Sequence, residues 1–475
     1  MLKNFLRFSA SPIFATFFLT GCTGLTLGEN NPGTNLGTYV GDGEVAVDPT
    51  TETAFAVVEQ QAANGTIDQQ ALFAVKAGAT TATNVLDLSG KTDPRVLFVS
   101  SGVLTMSQDG AHQDLTVLDR DTFAVKQQAV APTWYWGTRQ SASRRWVGVA
   151  DNQTPPYDIH VIDSSSLAIH VLPHGGDWLE AMFTNEQERL LAISFDTTHH
   201  VARIQSWDMN VLQSLGFPVA ADGKWSGNDI DIQLPGLDPD DAFSFTWVGV
   251  SPDDRLAVFP VIRRPLLVDP KNPSPPPDYQ LVVLDLQTHQ TRTIDNAKGP
   301  VGFTPDGGTI VSYDDGGPAG QQLKLINAET LAIDEEPVAL TGGIQYFISH
   351  QNNYVVVASS NGGQSLVLYD VNAHKQTTMA GPGVGLTEFV TRQTPEQLWI
   401  VDAGTNPNTS TPYGNLYVAD FQSSTVTQVP TPFLAEHIGI LPMHDQLVIG
   451  DNTRQVLHFF DPSKKAVVRD VTMSF

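Results

Sequence analysis

The sequence is poor in cysteine and in basic residues. Its 475 residues include one cysteine, Cys22, and an internal disulfide needs two. Lys and Arg together number 26 against 51 Asp and Glu, which gives a formal net charge of −25. Such an acidic surface repels the phosphates of nucleic acids and anionic lipid headgroups, so we expect neither as a partner.

The sequence also lacks a hydrophobic run long enough to cross a bilayer, which takes about 18–20 residues as a helix. The charge-free stretch at residues 8–19 (FSASPIFATFFL) has only about a dozen residues, and no later stretch approaches 18 uninterrupted apolar residues. Lys3 and Arg7 precede it. A short positive segment followed by a short apolar one has the layout of an export signal, so residues 1–21 are predicted to be a signal peptide.

The end of this segment, LTGC at residues 19–22, resembles the lipobox of bacterial lipoprotein precursors. In that family the cysteine thiol is acylated, the chain is cut before the cysteine, and the new amino group is acylated too. The resemblance implies a lipid-anchored Cys22, and two or three acyl chains anchor a protein firmly. The alternative is an ordinary secretory signal that happens to contain a cysteine.

Two further properties follow from the lipobox resemblance. Removing residues 1–21 takes away two positive charges and no negative ones, so the formal charge changes from −25 to −27. Thr23 stands where an aspartate would signal retention in the inner membrane, so the resemblance implies the outer membrane, with the body facing the periplasm or the exterior. Residues 22–43 are rich in Gly, Asn and Thr and are predicted to be a flexible tether with a typical reach of about 25 Å.

From residue 44 to residue 475 the pattern is typical of an all-β domain, because short Val-, Leu- and Phe-rich runs alternate with Gly, Pro, Asn and Asp. A repeat runs through it: a strand ends in Asp or Asn, and Thr or Ser usually follows three residues later. Most neighbouring copies are 41–50 residues apart, the period of propeller blades. The anchors are Asp119, Asp163, Asp208, Asp285, Asn327, Asp370, Asp420 and Asp461.

Hairpins precede these anchors, with turns such as SPDD at residues 251–254 and TPDG at 304–307. With these turns the chain resembles the YVTN-type and WD-repeat-like β-propellers. The resemblance implies one propeller over 44–475, with four-stranded antiparallel blades and a central channel. We favour eight blades within a range of seven to nine, with 44–90 either partly closing the ring or forming an atypical ninth blade.

In such a blade, with strands A to D, the A–B and C–D turns lie on one face and the B–C and D–A loops on the other. The anchoring Asp residues are interpreted as turn-forming, since Asp accepts hydrogen bonds from backbone N–H groups just beyond it. The long, irregular segments are assigned to B–C and D–A loops, including 173–177, 219–243 and 264–278. We therefore expect binding on that face.

Acidic residues are predicted to end B strands on this face. They suggest a carboxylate ring for a hard cation or a basic partner, or else ordinary Asx turns. Two tryptophans at the start of an A strand suggest an aromatic platform for a sugar or peptide, or else core packing. The candidates are Asp109, Asp151, Asp196, Asp314, Asp402, Asp451, Trp134 and Trp136.

Two local groups are candidate metal sites, although no cofactor is identified. An acidic cluster suggests Ca²⁺, or else simply solvated acid, since the spacing of an EF-hand loop is absent. A group of histidines with one aspartate suggests a transition metal. The candidates are Asp229, Asp231, Asp238 and Asp240 for the first, and His174, Asp177, His199 and His200 for the second.

No catalytic motif is present: the sequence has no G-x-S-x-G elbow, no phosphate-binding Gly-rich loop and no H-E-x-x-H pair. The leading hypothesis is a non-enzymatic, membrane-anchored module of the cell envelope that binds a protein or a surface polysaccharide. The alternative is a hydrolase or lactonase-like propeller enzyme with a divalent metal in its channel. A purely structural lipoprotein is the third possibility.

Overall fold

The chain folds almost entirely into antiparallel strands, as its β-branched and aromatic runs predict. In the described part no helix is long and apolar enough to cross a membrane. The computed structural model describes residues 38–39, 45–61, 67–132, 135–151, 157–176, 178–196, 201–217, 228–234, 241–245, 248–265, 278–295, 297–314, 321–333, 338–340, 344–348, 354–359, 366–379, 388–393, 395–405 and 412–475.

The first three blades follow a two-residue strand, β1 (Thr38–Tyr39). Blade 1 contains β2 (Val45–Asp48), β3 (Thr53–Gln61), β4 (Ile67–Lys76) and β5 (Thr83–Asp87). Blade 2 contains β6 (Thr92–Val99), β7 (Gly102–Asp109), β8 (His112–Leu118) and β9 (Val125–Ala131). Blade 3 contains β10 (Tyr135–Gln140), β11 (Trp146–Asp151), β12 (Tyr157–Asp163) and β13 (Ala168–Gly176).

The middle three blades include one short helix and one divided strand. Blade 4 contains β14 (Trp178–Phe183), β15 (Arg189–Asp196), β16 (Val201–Asp208), α1 (Met209–Ser214) and β17 (Asn228–Leu234). Blade 5 contains β18 (Asp241–Phe245) and β19 (Gly249–Val250), then β20 (Leu256–Pro265), β21 (Asp278–Asp285) and β22 (Thr291–Asp295). Blade 6 contains β23 (Lys298–Phe303), β24 (Thr309–Asp314), β25 (Gln321–Asn327) and β26 (Val338–Leu340).

The last three blades are regular. Blade 7 contains β27 (Ile344–Ile348), β28 (Tyr354–Ser359), β29 (Leu366–Asp370) and β30 (Lys375–Thr378). Blade 8 contains β31 (Glu388–Gln393), β32 (Glu396–Thr405), β33 (Pro412–Asp420) and β34 (Thr425–Val429). Blade 9 contains β35 (His437–Leu441), β36 (Gln446–Asp451), β37 (Val456–Asp461) and β38 (Ala466–Thr472).

The described strands form nine sheets, and each blade is a meander of consecutive strands, which we label A to D from the inside; the sheet of blade 2 has β1 as an additional strand beside β6. A strands of neighbouring blades contact one another at the boundaries 3–4, 4–5, 5–6, 8–9 and 9–1, which places them on the channel side. Separate apolar cores fill the spaces between blades 1 to 6 and between blades 7 to 9. One more core joins blade 9 to blade 1, where Leu441 and Phe459 pack with Val45 and Phe73, and this contact closes the ring.

This architecture confirms the predicted all-β propeller with four-stranded antiparallel blades. The count of nine is the upper end of the predicted range. Residues 44–90 contribute the additional blade: it has the full A-to-D order and packs on both of its neighbours. We call the side with the A–B and C–D connections the turn face, and the side with the B–C and D–A connections the loop face.

The structure corrects two assignments of long segments. Residues 219–243 are not a single D–A loop, because they include β17, the D strand of blade 4, and the start of β18, the A strand of blade 5. The chain from β16 through α1 to β17 is a C–D connection, so the prediction that the long irregular segments are B–C and D–A loops is wrong there. Residues 173–177 are also mostly strand, since β13 extends to Gly176.

The eight anchor residues form the C–D turns as predicted. Asp119 illustrates the geometry: its Oδ1 accepts the backbone N–H groups of Asp121 and Thr122 at 3.0 and 2.9 Å. Equivalent bonds from a backbone N–H two or three residues on are present at all eight anchors. At seven of them the residue four places later has a positive φ; the exception is Asp208, which caps α1 instead.

Carboxylates in A–B turns join neighbouring blades. Asp254 of blade 5 is 2% exposed, and its side chain accepts the backbone N–H groups of Asn185, Glu186 and Gln187 in blade 4 at 2.6, 2.7 and 2.8 Å. Glu52 of blade 1, also 2% exposed, accepts the Met443 N–H of blade 9 at 3.1 Å. The ring is therefore closed by a hydrogen bond as well as by an apolar core.

Candidate functional site

The predicted acidic residues lie largely where expected. Five of them are the last residues of B strands: Asp109, Asp151, Asp196, Asp314 and Asp451. The sixth, Asp402, lies inside β32 rather than at its end. The structure describes the side chains of three of the six, in blades 2, 8 and 9.

Asp109 takes part in a surface ion pair. Its Oδ2 lies 2.5 Å from Lys91 Nζ, which is also 2.7 Å from Asp114 Oδ2. The hydrogen bond from Lys91 lowers the pKa of Asp109 below its usual value. This carboxylate is therefore already neutralised by a cation of its own blade.

The aromatic and metal candidates are described only in part. Trp136 lies on β10, His174 on β13, and Asp229 and Asp231 on β17, but their side chains are not described. Among the residues that are described, no three His, Cys, Asp or Glu side chains gather in a way that could hold a metal ion. The remaining candidates lie outside the described residues: Trp134, Asp177, His199, His200, Asp238 and Asp240.

The loop-face rim between blades 8 and 9 contains the best-defined group of functional side chains. Residues 430–436, which link the two blades, cross directly over Gly414 of β33. A Cβ on Gly414 would lie 2.4 Å from the Ala435 carbonyl oxygen, so only glycine allows this approach. The Glu436 N–H donates to the Gly450 carbonyl at 3.0 Å, which holds the end of the segment on blade 9.

A cavity of about 410 Å³ opens beside the 430–436 segment. This volume is within the range of small-molecule sites, about 300–1,000 Å³. The lining combines aromatic rings with amide and hydroxyl groups. It includes Tyr413, Asn415, Gln428, Thr431, Phe433 and Leu434.

The polar lining groups are neutral hydrogen-bonding groups. The Gln428 amide donates to Asn415 Oδ1 at 3.2 Å, which fixes the orientation of both amides. Burial, and next the negative charge of Asp402, raise the pKa of Tyr413 above its usual value. Its phenol therefore stays protonated at physiological pH and remains a hydrogen-bond donor. Tyr413 is 38% exposed, so its ring is available to a ligand.

Phe433 connects the cavity to a buried imidazole. Its ring stacks on that of His458, with centroids 3.7 Å apart and planes 12° apart. His458 Nδ1 lies 2.7 Å from Asp470 Oδ1, and His458 Nε2 lies 3.7 Å from Asp451 Oδ2. The imidazole of β37 therefore stands between two carboxylates, from β38 and from the end of β36.

One side of this group makes no hydrogen bond. Asp451 is 1% exposed and His458 5%, and neither Asp451 Oδ2 nor His458 Nε2 has a hydrogen-bond partner among the described residues. Asp451 Oδ1, in contrast, accepts the Arg454 N–H at 3.1 Å, which is the Asx turn that the sequence offered as an alternative. The second carboxylate oxygen, Asp451 Oδ2, lies 3.7 Å from Arg454 Nε, so this buried carboxylate is paired with the Arg454 guanidinium.

A second imidazole–carboxylate pair lies nearer the channel on the same rim. His437 Nδ1 of β35 is 3.0 Å from Glu388 Oε2 of β31. The site thus brings together side chains of both blades, of which the sequence prediction included only Asp402 and Asp451. His458, Asp470 and Phe433 were missed, because only the register of β37 with β38 and the path of residues 430–436 bring them to Asp451.

Comparisons with known proteins add similarity of fold only. No protein-family model and no curated protein matches the chain. The Dos1 propeller matches with 11% identity and a TM-score of 0.48, covering 75% of this chain and 89% of that one. Dihydro-heme d1 dehydrogenase NirN matches with 12% identity and a TM-score of 0.46, and the match covers 90% of this chain and 74% of that one.

A third similar structure is the propeller domain of the trilobed protease from Pyrococcus furiosus. It matches with 12% identity and a TM-score of 0.39, covering 72% of this chain and 97% of that one. Similarities at these levels carry no information about activity. The propeller assignment therefore rests on the nine described sheets of the chain itself.

Proposed function

We propose that this chain is a lipid-anchored protein of the bacterial cell envelope whose propeller binds a sugar unit of a surface polymer. The binding site is the cavity between blades 8 and 9. The observation that carries the proposal is its lining, in which the exposed ring of Tyr413 accompanies the paired amides of Asn415 and Gln428, while Phe433, 5% exposed, belongs to the core beneath. A sugar ring offers an apolar C–H face for such an exposed ring and hydroxyl groups for such amides.

The surrounding charges favour a neutral or amino-bearing sugar over an acidic one. Asp402, Asp451 and Glu388 are all at or near this rim, and the formal charge of the whole chain is −25. An acidic polymer would be repelled by these carboxylates.

The binding test compares two faces of blade 8. We expect the mature protein to bind polysaccharide purified from its own envelope, measured by calorimetry. The Tyr413→Ala variant should bind about 5–10-fold more weakly, because it loses an aromatic contact worth about 1–1.5 kcal/mol. Gln422→Ala, at an exposed C–D turn on the turn face, is the matched control and should bind normally.

Equal binding by the Tyr413→Ala protein would contradict the proposed site. Retention of an envelope protein, with no affinity for any envelope polysaccharide, would favour the protein-binding alternative over the polymer.

The anchor is tested separately by mass spectrometry of the N-terminal peptide of protein taken from membranes. We expect the peptide to begin at Cys22 and to carry acyl chains on both the sulfur and the amino group. A Cys22→Ser variant should leave the membrane fraction. A peptide that begins elsewhere, or an unmodified thiol, would reject lipid anchoring.

A further inference from the structure

The strand β1 shows the direction in which the chain passes through the channel. It pairs antiparallel with β6, with Thr38 opposite Val96 and Tyr39 opposite Arg95. Since β6 is an A strand, β1 lies on the channel side of blade 2. The chain therefore lies inside the ring before it begins blade 1.

The direction of β6 fixes the direction of β1. β6 begins at Thr92, on the loop face, and ends at Val99, next to the A–B turn on the turn face. An antiparallel partner runs the opposite way, so β1 advances from the turn face towards the loop face. The residues that precede Thr38 are connected to its turn-face end.

The distances limit where a lipid on Cys22 can be. Even fully extended, the sixteen residues from Cys22 to Thr38 span at most about 53–58 Å. Val96 is three residues from the turn-face end of β6, which leaves about 10 Å of channel to cross. A bilayer beneath the turn face is therefore easily within reach.

A bilayer on the loop face would require the chain to reverse its direction inside the channel directly before Thr38, or to pass around the outside of a blade. From the turn-face mouth the chain would have to cross the width of a blade, about 15 Å for three strand spacings, and then follow its outer wall for about 23 Å. With the 10 Å inside the channel this path uses roughly 50 Å, nearly the whole extended length. The cost in conformational entropy of holding every residue extended opposes such an arrangement.

We propose that the turn face of the propeller lies against the membrane and that the loop face, with the cavity between blades 8 and 9, points away from it. This orientation rests on the proposed anchor at Cys22. The turn face then has a lipid surface as its neighbour. The cavity is presented to polymers at a distance of at least one strand length from the headgroups.

The experiment measures the distance of each face from the lipid. The mature chain, residues 22–475, is coupled through the thiol of Cys22 to a maleimide lipid in phosphatidylcholine vesicles. A fluorescent non-natural residue replaces Gln422, exposed on the turn face, or Thr453, exposed in the B–C connection of blade 9. Energy transfer to an acceptor dye on the lipid headgroups then reports how close each position lies.

We expect transfer from position 422 to be at least ~3-fold more efficient than from position 453, because the two faces are about a strand length apart. Equal transfer from both positions, or greater transfer from position 453, would overturn the orientation. A Gly/Ser insertion of twenty residues after Asn30 should reduce the difference without detaching the protein from the vesicles.

This result is independent of natural acylation, since the lipid is attached chemically. An unmodified Cys22 in the native protein would reject the proposed anchor, whereas reversed energy transfer would reject the orientation alone.

Discussion

At the residue scale, stability depends on buried carboxylates whose partners belong to another blade. Asp254 has a φ of 53° and accepts three backbone N–H groups from the A–B turn of blade 4. Aspartate tolerates this left-handed backbone conformation better than most residues. The carboxylate therefore fixes the relative position of two blades.

Replacing Asp254 by alanine should lower the free energy of unfolding by about 2–4 kcal/mol, because three N–H groups, one of them on the buried Asn185, lose the carboxylate that accepts them. Asp253→Ala is the matched control: the Asp253 side chain is 62% exposed and bonds only within its own turn. The measurement is urea denaturation of both variants. Equal losses in the two would show that contact across the blade boundary is unimportant.

The C–D anchors give a prediction for acid stability. The backbone N–H of Thr122 contributes most to lowering the pKa of Asp119 to about 2, and hydrogen bonding to Lys464 lowers the pKa of Asp461. A carboxyl group whose pKa is lower in the folded than in the unfolded protein stabilises the fold. The stabilisation is complete when the pH is above the unfolded pKa, 3.8, and it is lost as the pH falls through the folded pKa.

The double variant Asp119→Asn, Asp461→Asn should therefore lose less stability than the wild type between pH 4 and pH 2. At pH 7 it should retain both turns, since Asn327 forms the same turn naturally. Urea midpoints at pH 7, 4 and 2 measure this. Parallel decreases in the two proteins would show that these carboxylates do not determine the acid sensitivity.

At the scale of the element, each regular C–D turn needs one residue in the left-handed region. His289 of blade 5 is such a residue, exposed and with a φ of 58°. Glycine adopts this conformation without the steric cost of about 1–2 kcal/mol that other residues incur, although it is more flexible when unfolded.

We expect His289→Gly to raise the free energy of unfolding by about 0.5–1 kcal/mol. Gln287→Gly, two residues away in the same turn and equally exposed, should not stabilise the protein. Thermal denaturation of the pair distinguishes strain relief from a general effect of glycine. A destabilised His289→Gly protein would mean that the histidine side chain itself supports the turn.

Elements defined by short-range patterns were predictable from the sequence. The hairpins and the turns at the eight anchors depend on neighbouring residues, so the repeat revealed them. Two elements had weaker signals. Blade 1 lacks the anchor, with Ala77 and Gly78 in its C–D turn, and β17 alternates Asp229, Asp231 and apolar residues in what was interpreted as an acidic loop.

The candidate site was less predictable, because it depends on contacts between elements. Asp451 was identified from its position at a strand end. Its neighbours His458 and Asp470 are ordinary members of β37 and β38 in the sequence, and nothing local marks Phe433 as the ring that covers them. The register between strands and the path of an irregular connection determine the site. Neither of them produces a repeating pattern in the amino-acid sequence.

At the scale of the whole molecule, the ring closes without a strand shared between its ends. The four strands A to D of each described blade are contiguous in sequence, and blade 1 meets blade 9 through an apolar core and Glu52. The Glu52 side chain accepts the Met443 N–H, and its other oxygen is 3.1 Å from His444 Nδ1. These contacts join residues 391 and 392 positions apart.

Glu52→Ala should loosen this closure, with a loss of about 1–3 kcal/mol for the unsatisfied N–H. Hydrogen exchange is expected to accelerate at Met443 and in β35, and to remain unchanged in blades 4 and 5. Thr50→Ala, exposed in the same A–B turn, is the control and should leave exchange unaltered. A uniform acceleration around the ring would indicate general destabilisation instead of opening at one boundary.

Hydrogen exchange of the mature protein with and without its envelope polysaccharide tests the central claim most directly. The peptides that decide the outcome cover residues 412–417 and 430–436 on the loop face, and 421–424 on the turn face of the same blade. We predict that polysaccharide slows exchange in the first two and leaves the third unchanged. Slowed exchange confined to 421–424, or no change in any of the three, would contradict a polymer-binding site between blades 8 and 9.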